Sequence, residues 1–507
     1  MLEGVAPNGS AARVTIDGLH APSSPATVAL VLVQASQVTV RWLRFTGVPG
    51  NPTGQAPAVF VQTGGGAKPP PGSLPGPRTI TNVQIVDNVF DNVWGTSLAP
   101  GGARPNGLFI SSGAPNTRYS DITVARNTFR GYANIDGDGL GVLATTSGTS
   151  ISTIVIRDNT FYQDNGSIEL NDANIAPHLR GIQIIGNTIT GAGLAKGIGI
   201  ALLSAATNAT TDDTVIEDNM ISGFDNGNAI QIAAQVPLAT GVSGFTPSGD
   251  VISNTQIVNN VIRHDSPSTA IVIAGGNSSP PSGVSGVTIE NDTLVNTAPG
   301  GPAWLLSEGS GSAGNYITGV VIRNTILWSP NGTPIPTGMV GPGIYAQRPE
   351  VVTNSLISGP GWAGSNGNIN TDPMFVNEAG SDYHLAAGSA AINAGTTVGA
   401  APFDRDGARR DAQPDIGAYE YGAAPRPLLT VTAYPLGGNG TITSSPAGIS
   451  CGTRCTAQLD ANTKITLSAK PDSRSRFVGW RGACSGTRGC TITLAASKSV
   501  TARFGPR

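Results

Sequence analysis

Apolar and polar residues alternate along most of this chain in short runs that return in one register. Ile154-Val-Ile-Arg-Asp-Asn-Thr-Phe161 and Ile182-Gln-Ile-Ile-Gly-Asn-Thr-Ile189 share one pattern: apolar, any, apolar, two free positions, Asn, any, apolar. It recurs as Val83-Gln-Ile-Val-Asp-Asn-Val-Phe90, Ile122-Thr-Val-Ala-Arg-Asn-Thr-Phe129, Thr214-Val-Ile-Glu-Asp-Asn-Met-Ile221 and Thr255-Gln-Ile-Val-Asn-Asn-Val-Ile262, with weaker copies from Val38, Val287, Val320 and Glu350. A unit repeating about every 30 residues marks a solenoid, in which each unit buries its apolar face only against its neighbours.

The period is that of a strand, and clusters of Gly, Asn, Asp and Pro break the runs too often for helices. A second short run follows each Asn, as in Gly107-Leu-Phe-Ile110, Gly139-Leu-Gly-Val142, Ile168-Glu-Leu170, Gly197-Ile-Gly-Ile200, Ala229-Ile-Gln-Ile232 and Ala270-Ile-Val-Ile273. Strands of one coil then pair in parallel with those of the next, which predicts an all-β parallel β-helix of roughly ten coils.

Asn88, Asn127, Asn159, Asn187, Asn219 and Asn260 share one register, and stacked amides can hydrogen-bond from coil to coil. Asp292, Thr325 and Ser355 continue that register toward the C-terminus. Two places on, Phe90, Phe129 and Phe161 are expected to stack in the core, followed by Ile189, Ile221 and Ile262. These columns read as architecture.

On these repeats, residues 14 to 395 resemble the right-handed parallel β-helix proteins of the pectate-lyase-like superfamily. That resemblance implies carbohydrate as a ligand class and export from the cell. It does not choose a chemistry, because one fold hosts many. The signatures of the polygalacturonases, pectin methylesterases and alginate epimerases are missing from the chain.

Charged residues make up 12% of the 507, with a formal net charge of −3. Gly, Ser, Thr and Asn stand in their place, as on the surface of an exported β-solenoid. No run approaches the ~18 apolar residues of a membrane span. Met1-Leu-Glu-Gly-Val5 has no signal-peptide character, and Val14-Thr-Ile-Asp-Gly18 already reads as a coil, so a chain shortened at its N-terminus is expected. Insertions at 62 to 79, 112 to 120, 202 to 213, 233 to 253 and 274 to 286 are expected to form loops beside the strands.

Residues 1 to 370 are thus read as the helix and 371 to 421 as a closing segment. It contains Asp372-Pro-Met-Phe375, Asp382-Tyr-His-Leu385, Ser389-Ala-Ala-Ile-Asn-Ala-Gly395, Asp404-Arg-Asp-Gly407 and Asp415-Ile-Gly-Ala-Tyr-Glu-Tyr421. The segment resembles the choice-of-anchor Q ending of bacterial secreted β-helix proteins, which implies surface attachment. Asp404, Asp406 and Asp411 are a candidate Ca²⁺ set, but they lack EF-hand spacing and lie among Arg405, Arg409 and Arg410, which can satisfy the same carboxylates.

A linker, residues 422 to 427, precedes a module of different composition. From Leu428 onward there are ten Lys and Arg against two Asp, a formal charge of about +8. The rest of the chain holds 19 basic and 30 acidic residues. Phe477-Val-Gly-Trp480 and Val500-Thr-Ala-Arg-Phe504 resemble the bacterial repeat modules related to the internalin B-repeat, which are small and β-grasp-like. Trp480 is either a core anchor or an exposed ligand platform, the former being the commoner role. All four cysteines lie here. Two disulfides are expected, with three possible connectivities, of which the local pairs Cys451 with Cys455 and Cys484 with Cys490 are preferred. The spacings fit structural zinc poorly.

Candidate chemistry centres on Glu169. Its outward column reads Phe109, Gly141, Glu169, Gly199, Gln231 and Val272, so a glycine on either side would leave room beside a carboxylate. Asp136, Asp138, Asp164, Asp172, His178, Arg180 and Lys196 are its candidate partners. They suit either hydrolysis by a carboxylate pair, or β-elimination from a uronic acid with Ca²⁺ on the carboxylates and Lys196, Arg180 or His178 as base. Equally, Asp and Asn before strands are ordinary turn residues.

Two functions follow. One is a non-catalytic extracellular scaffold or adhesin, expected to be a monomer, holding polysaccharide or anionic envelope polymer. The other is a secreted polysaccharide lyase or glycoside hydrolase. No nucleic-acid reader motif is present.

Overall fold

The computed structural model describes residues 2–3, 14–17, 29–46, 57–63, 78–91, 107–112, 114–131, 138–164, 166–172, 175–191, 195–224, 226–234, 248–265, 269–275, 282–296, 306–309, 316–330, 352–359, 362–451 and 455–507. Among these, every regular element is a strand. None is a helix long and apolar enough to cross a membrane. The chain divides into two compact units, Met1–Ala401 with Ala412–Tyr421, and Pro402–Asp411 with Gly422–Arg507.

The first unit is a right-handed parallel β-helix. Three sheets, here A, B and C, hold fourteen, eleven and nine strands, and each strand pairs with its counterpart one coil away. In one coil, Arg118–Ala125 lies in sheet A, Thr128–Arg130 in sheet B and Asp138–Ala144 in sheet C. Inward residues form one continuous core that includes Ile122, Val124, Phe129, Leu140 and Val142. Phe90, Phe129 and Phe161 stack as expected, with ring centroids 4.5 and 4.7 Å apart, and Phe45 extends the stack by one ring at 5.0 Å from Phe90.

The Asn column lies at the corner between sheets A and B and is at most 1% exposed. From Asn127 to Asn260, each side-chain oxygen accepts two bonds from the preceding rung. Asn159 Oδ1, for example, accepts from the backbone N–H of Asn127 at 2.9 Å and from its Nδ2 at 3.1 Å. Each Nδ2 also donates to a backbone carbonyl of the preceding coil, that of Asn159 to Val124 at 2.9 Å. The amide thus takes up corner groups that no strand partner reaches.

The column passes through Asp292, Thr325 and Ser355 and ends one rung later, at Asn368, whose Oδ1 accepts from Ser355 N–H at 3.0 Å. Asn368 follows Ser355 by only 13 residues, outside the repeat spacing, which hides it from a pattern search.

The position before each rung carries a backbone feature of its own. Asp87, Arg126, Asp158, Gly186, Asp218, Asn259, Asn291, Asn324 and Asn354 all have φ between 46° and 65°. A second such column lies five residues upstream, at Asn82, Asp121, Thr153, Gly181, Asp213, Asn254, Gly286 and Gly319. Left-handed backbone bends each coil twice, and Asn, Asp and Gly adopt it at least cost. Positions that appear free in the eight-residue pattern are therefore constrained in backbone, though not in burial.

The stretch from 202 to 213 is not an inserted loop. It holds the end of strand Ala195–Ser204 and the start of Thr210–Glu217.

The parts of the closing segment that belong to this unit, residues 371–401 and 412–421, lie along the outer face of sheet B. The outward column there runs Val89, Thr128, Thr160, Thr188, Met220, Val261, Thr293, Ile326, Leu356. Thr160 and Thr188 are exposed, whereas Val261, Ile326 and Leu356 are buried under Tyr383, Leu385, Ala391, Ile416, Ala418 and Tyr419. Asp415 fixes the segment's fold by accepting Asn393 N–H and Tyr421 N–H. Asn324 fastens it to the helix, donating to Thr396 O and accepting from Thr396 N–H, both at 2.8 Å. At Gly417, with φ 106°, a Cβ would stand 2.7 Å from Ile326.

The second unit contains two four-stranded sheets. In one, here sheet D, the order is Thr456–Gln458, Leu428–Pro435, Lys498–Pro506, Ser475–Gly482, with the first and last long strands of the module parallel. In the other, sheet E, it is Ser450–Cys451, Gly440–Ser445, Thr463–Pro471, Cys490–Leu494. Their inner faces enclose Leu429, Ile442, Ile465, Leu467, Trp480, Val500 and Phe504. Cys451 is bonded to Cys455 and Cys484 to Cys490, the expected local pairs. Trp480 is a core anchor, 4% exposed, with its indole N–H on Arg488 O at 3.0 Å.

Asn159→Ala removes two donated and two accepted bonds from a buried corner, leaving partners unsatisfied. At ~1–3 kcal/mol for each stranded group, the urea midpoint should fall markedly. A second outcome concerns Asp292, whose burial pushes its pKa up to about 8. The unfolded chain releases that proton near ~3.9. Between those values the folded state binds more protons, so this residue makes stability fall as pH rises. Urea midpoints from pH 5 to 8 should decline in the native chain and decline less in Asp292→Asn.

Candidate functional site

Glu169 sits in strand Gly166–Asp172 of sheet C with its side chain outward and half-buried, and among the described side chains it is the one carboxylate on that outer face. Asn171 Nδ2 donates to its Oε1 at 2.8 Å. On one side it pairs with Gly141, as expected. On the other it pairs with Ala201, not Gly199. The register is set by Ile168 against Ile200 and Leu170 against Leu202, which keeps all four inward. A Cβ on Gly199 would instead meet Ile221 and Phe224.

The space at Gly141 is also filled. A Cβ there would lie 2.8 Å from the Phe109 ring, and Phe109, Phe60 and Leu143 form a small apolar cluster on the outer face, each at most 7% exposed. Glu169 is therefore bordered by Phe109, Asn171 and Ala201 rather than by two bare glycines.

Of its candidate partners, the three whose side chains are described, Asp172, His178 and Arg180, lie apart from it. Asp172, next but two along the strand, points into the helix and is fully buried, in a column of small residues Ala144, Asp172, Ser204, Ala234. It cannot touch a polymer outside. Thr211 Oγ1 donates to Asp172 Oδ2 at 2.8 Å. Burial, reinforced by the neighbouring Asp250 charge, holds the Asp172 pKa well above the ordinary range. Asp250 itself is pushed up to about 6 by burial, although the N–H groups of Ala206 and Ala209 bond its oxygens.

His178 and Arg180 are exposed on the outer face of sheet A, a different face from that of Glu169. His178 Nδ1 is 2.6 Å from Thr210 Oγ1, and Arg180 bonds Asp213 at 2.9 Å. Asp136 lies outside the described residues, as do the side chains of Asp138, Asp164 and Lys196. Asp138 opens the strand Asp138–Ala144, Asp164 ends Thr160–Asp164 in sheet B, and Lys196 lies near the start of Ala195–Ser204.

Among the described residues no three His, Cys, Asp or Glu side chains converge as a metal-holding group. Asp404 is 3% exposed and caps its own turn by accepting Ala408 N–H at 2.7 Å. Asp406 offers its backbone carbonyl to Gln458, and Asp411 is exposed. The three do not form a Ca²⁺ cradle. Instead, Arg426 covers the Phe403 ring at 3.4 Å.

What the sequence reading passed over is in the module. Arg481, Arg503 and Tyr434 lie on the outer face of sheet D, and the strand alternation that places them there was legible, but the pairing that makes them neighbours was not.

A family model for the divergent InlB B-repeat domain matches residues 429–507. Among solved structures, the crystal structure of pectate lyase Pel9A aligns with 72% of this chain and 88% of its own, at 14% identity and a TM-score of 0.30. A mutant tailspike protein of the E. coli bacteriophage HK620, in complex with a pentasaccharide, aligns with 70% of this chain and 78% of its own, at 11% identity and a TM-score of 0.21. Comparison with curated proteins finds no match.

Gly141→Ala tests whether Phe109 fills the notch. A methyl group there meets a buried ring that has little room to yield. Overpacking of this kind costs about 1–3 kcal/mol, so the thermal midpoint should drop, and Phe109→Ala in the same chain should remove the clash.

Proposed function

We propose that this chain is an extracellular or cell-surface protein that binds polysaccharide or anionic envelope polymer as a non-catalytic scaffold or adhesin. The observation carrying this reading is the dispersion of the candidate groups whose side chains are described. Acid–base catalysis needs two groups within reach of one bond, yet Glu169 faces out from sheet C, His178 and Arg180 from sheet A, and Asp172 into the core. Binding has no such requirement. Excess cations on the module attract polyanions at long range, and ten of the chain's 29 Lys and Arg are concentrated there.

Two further features support an extracellular setting. Disulfides persist in oxidising compartments, and the module has two. The closing segment, with its choice-of-anchor Q-like motifs, fits a role next to an attachment module.

The rival reading, a polysaccharide lyase or glycoside hydrolase at Glu169, draws on the half-buried state of that carboxylate beside an apolar wall. Absorbance of unsaturated uronates and reducing-sugar release, measured on a polysaccharide panel with and without Ca²⁺, separate the two. The expected outcome is no product from either the native chain or Glu169→Gln, with binding that weakens as salt increases. Product formed by the native chain and lost in Glu169→Gln would replace the scaffold reading with the enzyme.

A further inference from the structure

Sheet D alternates cleanly. Val431, Val500, Ala502, Phe504 and Trp480 point into the module core, so Thr432, Tyr434, Thr501, Arg503 and Arg481 lie on the opposite face. Register brings them together: Thr432 pairs with Thr501 and Thr501 with Arg481, while Tyr434 pairs with Arg503 and Arg503 with Gly479. Tyr434 and Arg503 are thus direct cross-strand neighbours. Arg481 is diagonal to Arg503, a separation of roughly 7–8 Å.

Tyr434 is 42% exposed, Arg481 is exposed and Arg503 is half-buried. Neither guanidinium has an ionic or hydrogen-bonded side-chain partner among the described residues. The module's two acids stand elsewhere, at turns: Asp460 accepts Thr463 N–H and Asp472 accepts Ser475 N–H through their backbone carbonyls. On the far side of Arg503 the row is bounded by the loop that the Cys484–Cys490 bond closes, with Trp480 N–H on Gly486 O at 2.7 Å.

Two adjacent unneutralised guanidiniums repel each other, and an oxyanion between them removes that cost while matching their planar donor forks. The Tyr434 ring supplies a flat apolar surface for one face of a sugar, and the hydroxyls of Thr432 and Thr501 can exchange hydrogen bonds with sugar hydroxyls. The outer face of sheet E lacks this combination. Its exposed Lys464 and Lys470 lie six residues apart on one strand, about 20 Å at the strand rise, with Thr466 and Ser468 between them.

Resting on the reading above, we propose that the Tyr434, Arg481 and Arg503 face of sheet D is the site at which this chain holds an oxyanion-bearing sugar, carboxylated or sulfated, within a polysaccharide. Recognition is by geometry and stacking and not by net charge alone.

The test uses all 507 residues and immobilised polygalacturonate, dextran sulfate, neutral dextran and polyphosphate, with unchanged thermal midpoint and both disulfides verified in each variant. Arg481→Gln with Arg503→Gln should weaken binding to whichever anionic polysaccharide the native chain holds by at least about tenfold. The same double change to Lys should restore only part of it, since charge is kept and the fork is lost. Tyr434→Ala should weaken binding to that polysaccharide and leave polyphosphate binding unchanged.

Lys464→Gln with Lys470→Gln, an equal loss of charge on sheet E, should have little effect. Equal weakening by the two double Gln variants, or full recovery with Lys, would reduce the site to diffuse charge and overturn the proposal. So would native-like binding in Arg481→Gln with Arg503→Gln, while leaving the broader binding reading intact. Absence of any binding by the native chain would remove both.

Discussion

A parallel β-helix must turn a corner in every coil without leaving buried backbone groups unpaired, and here one side-chain amide per coil meets that constraint. Asn is suited to it because it carries a donor and an acceptor on one short side chain. Its oxygen takes the preceding rung's N–H and amide, and its nitrogen reaches a carbonyl of the coil before. Asp cannot donate when ionised, so Asp292 sits in the same place as a carboxyl group driven toward its neutral form by burial. Thr325 and Ser355 offer only a hydroxyl, with longer bonds of 3.4 and 3.2 Å to the preceding N–H groups. The ladder weakens in the last coils, where the closing segment adds its own fastening.

That segment explains a change in surface chemistry along the helix. Sheet B exposes Thr160 and Thr188 where it meets solvent, and presents Val261, Ile326 and Leu356 where Tyr383, Leu385 and Ile416 cover it. The corner column changes in parallel. Asp87 pairs with Arg126 in an early coil, whereas Asn291 and Asn324 bond backbone of the segment. Asp415, Gly417 and Tyr419 owe their places to this contact: Asp415 shapes the loop, Gly417 permits close approach and Tyr419 stacks on His384 at 3.9 Å.

Ionisable groups divide along similar lines. In the helix several described charges are used in coil-to-coil pairs, such as Arg130 with Asp91 and Arg323 with Glu290. Asp172 and Asp250 are buried structural groups with raised pKa values. Positive charge is in excess only in the module, where two Asp stand against ten Lys and Arg. The proposed binding role rests on this division, with the module contributing the positive charge.

The repeat register, the parallel pairing, the Asn column, the Phe stack, the local disulfides and the buried role of Trp480 could all be taken from the sequence, because each depends on spacing within or between neighbouring units. Three matters depended on tertiary structure. Whether Glu169 meets Gly199 or Ala201 was undecided by alternation, since a glycine two residues away fits the same face equally well and only the packing of Ile200 and Leu202 selects between them. Whether Asp172 faces in or out turned on where sheet C ends. The last rung at Asn368, the cover over sheet B and the neighbourhood of Tyr434, Arg503 and Arg481 join residues remote in sequence, and strand alternation assigns a face to each side chain but not the strand that will lie beside it.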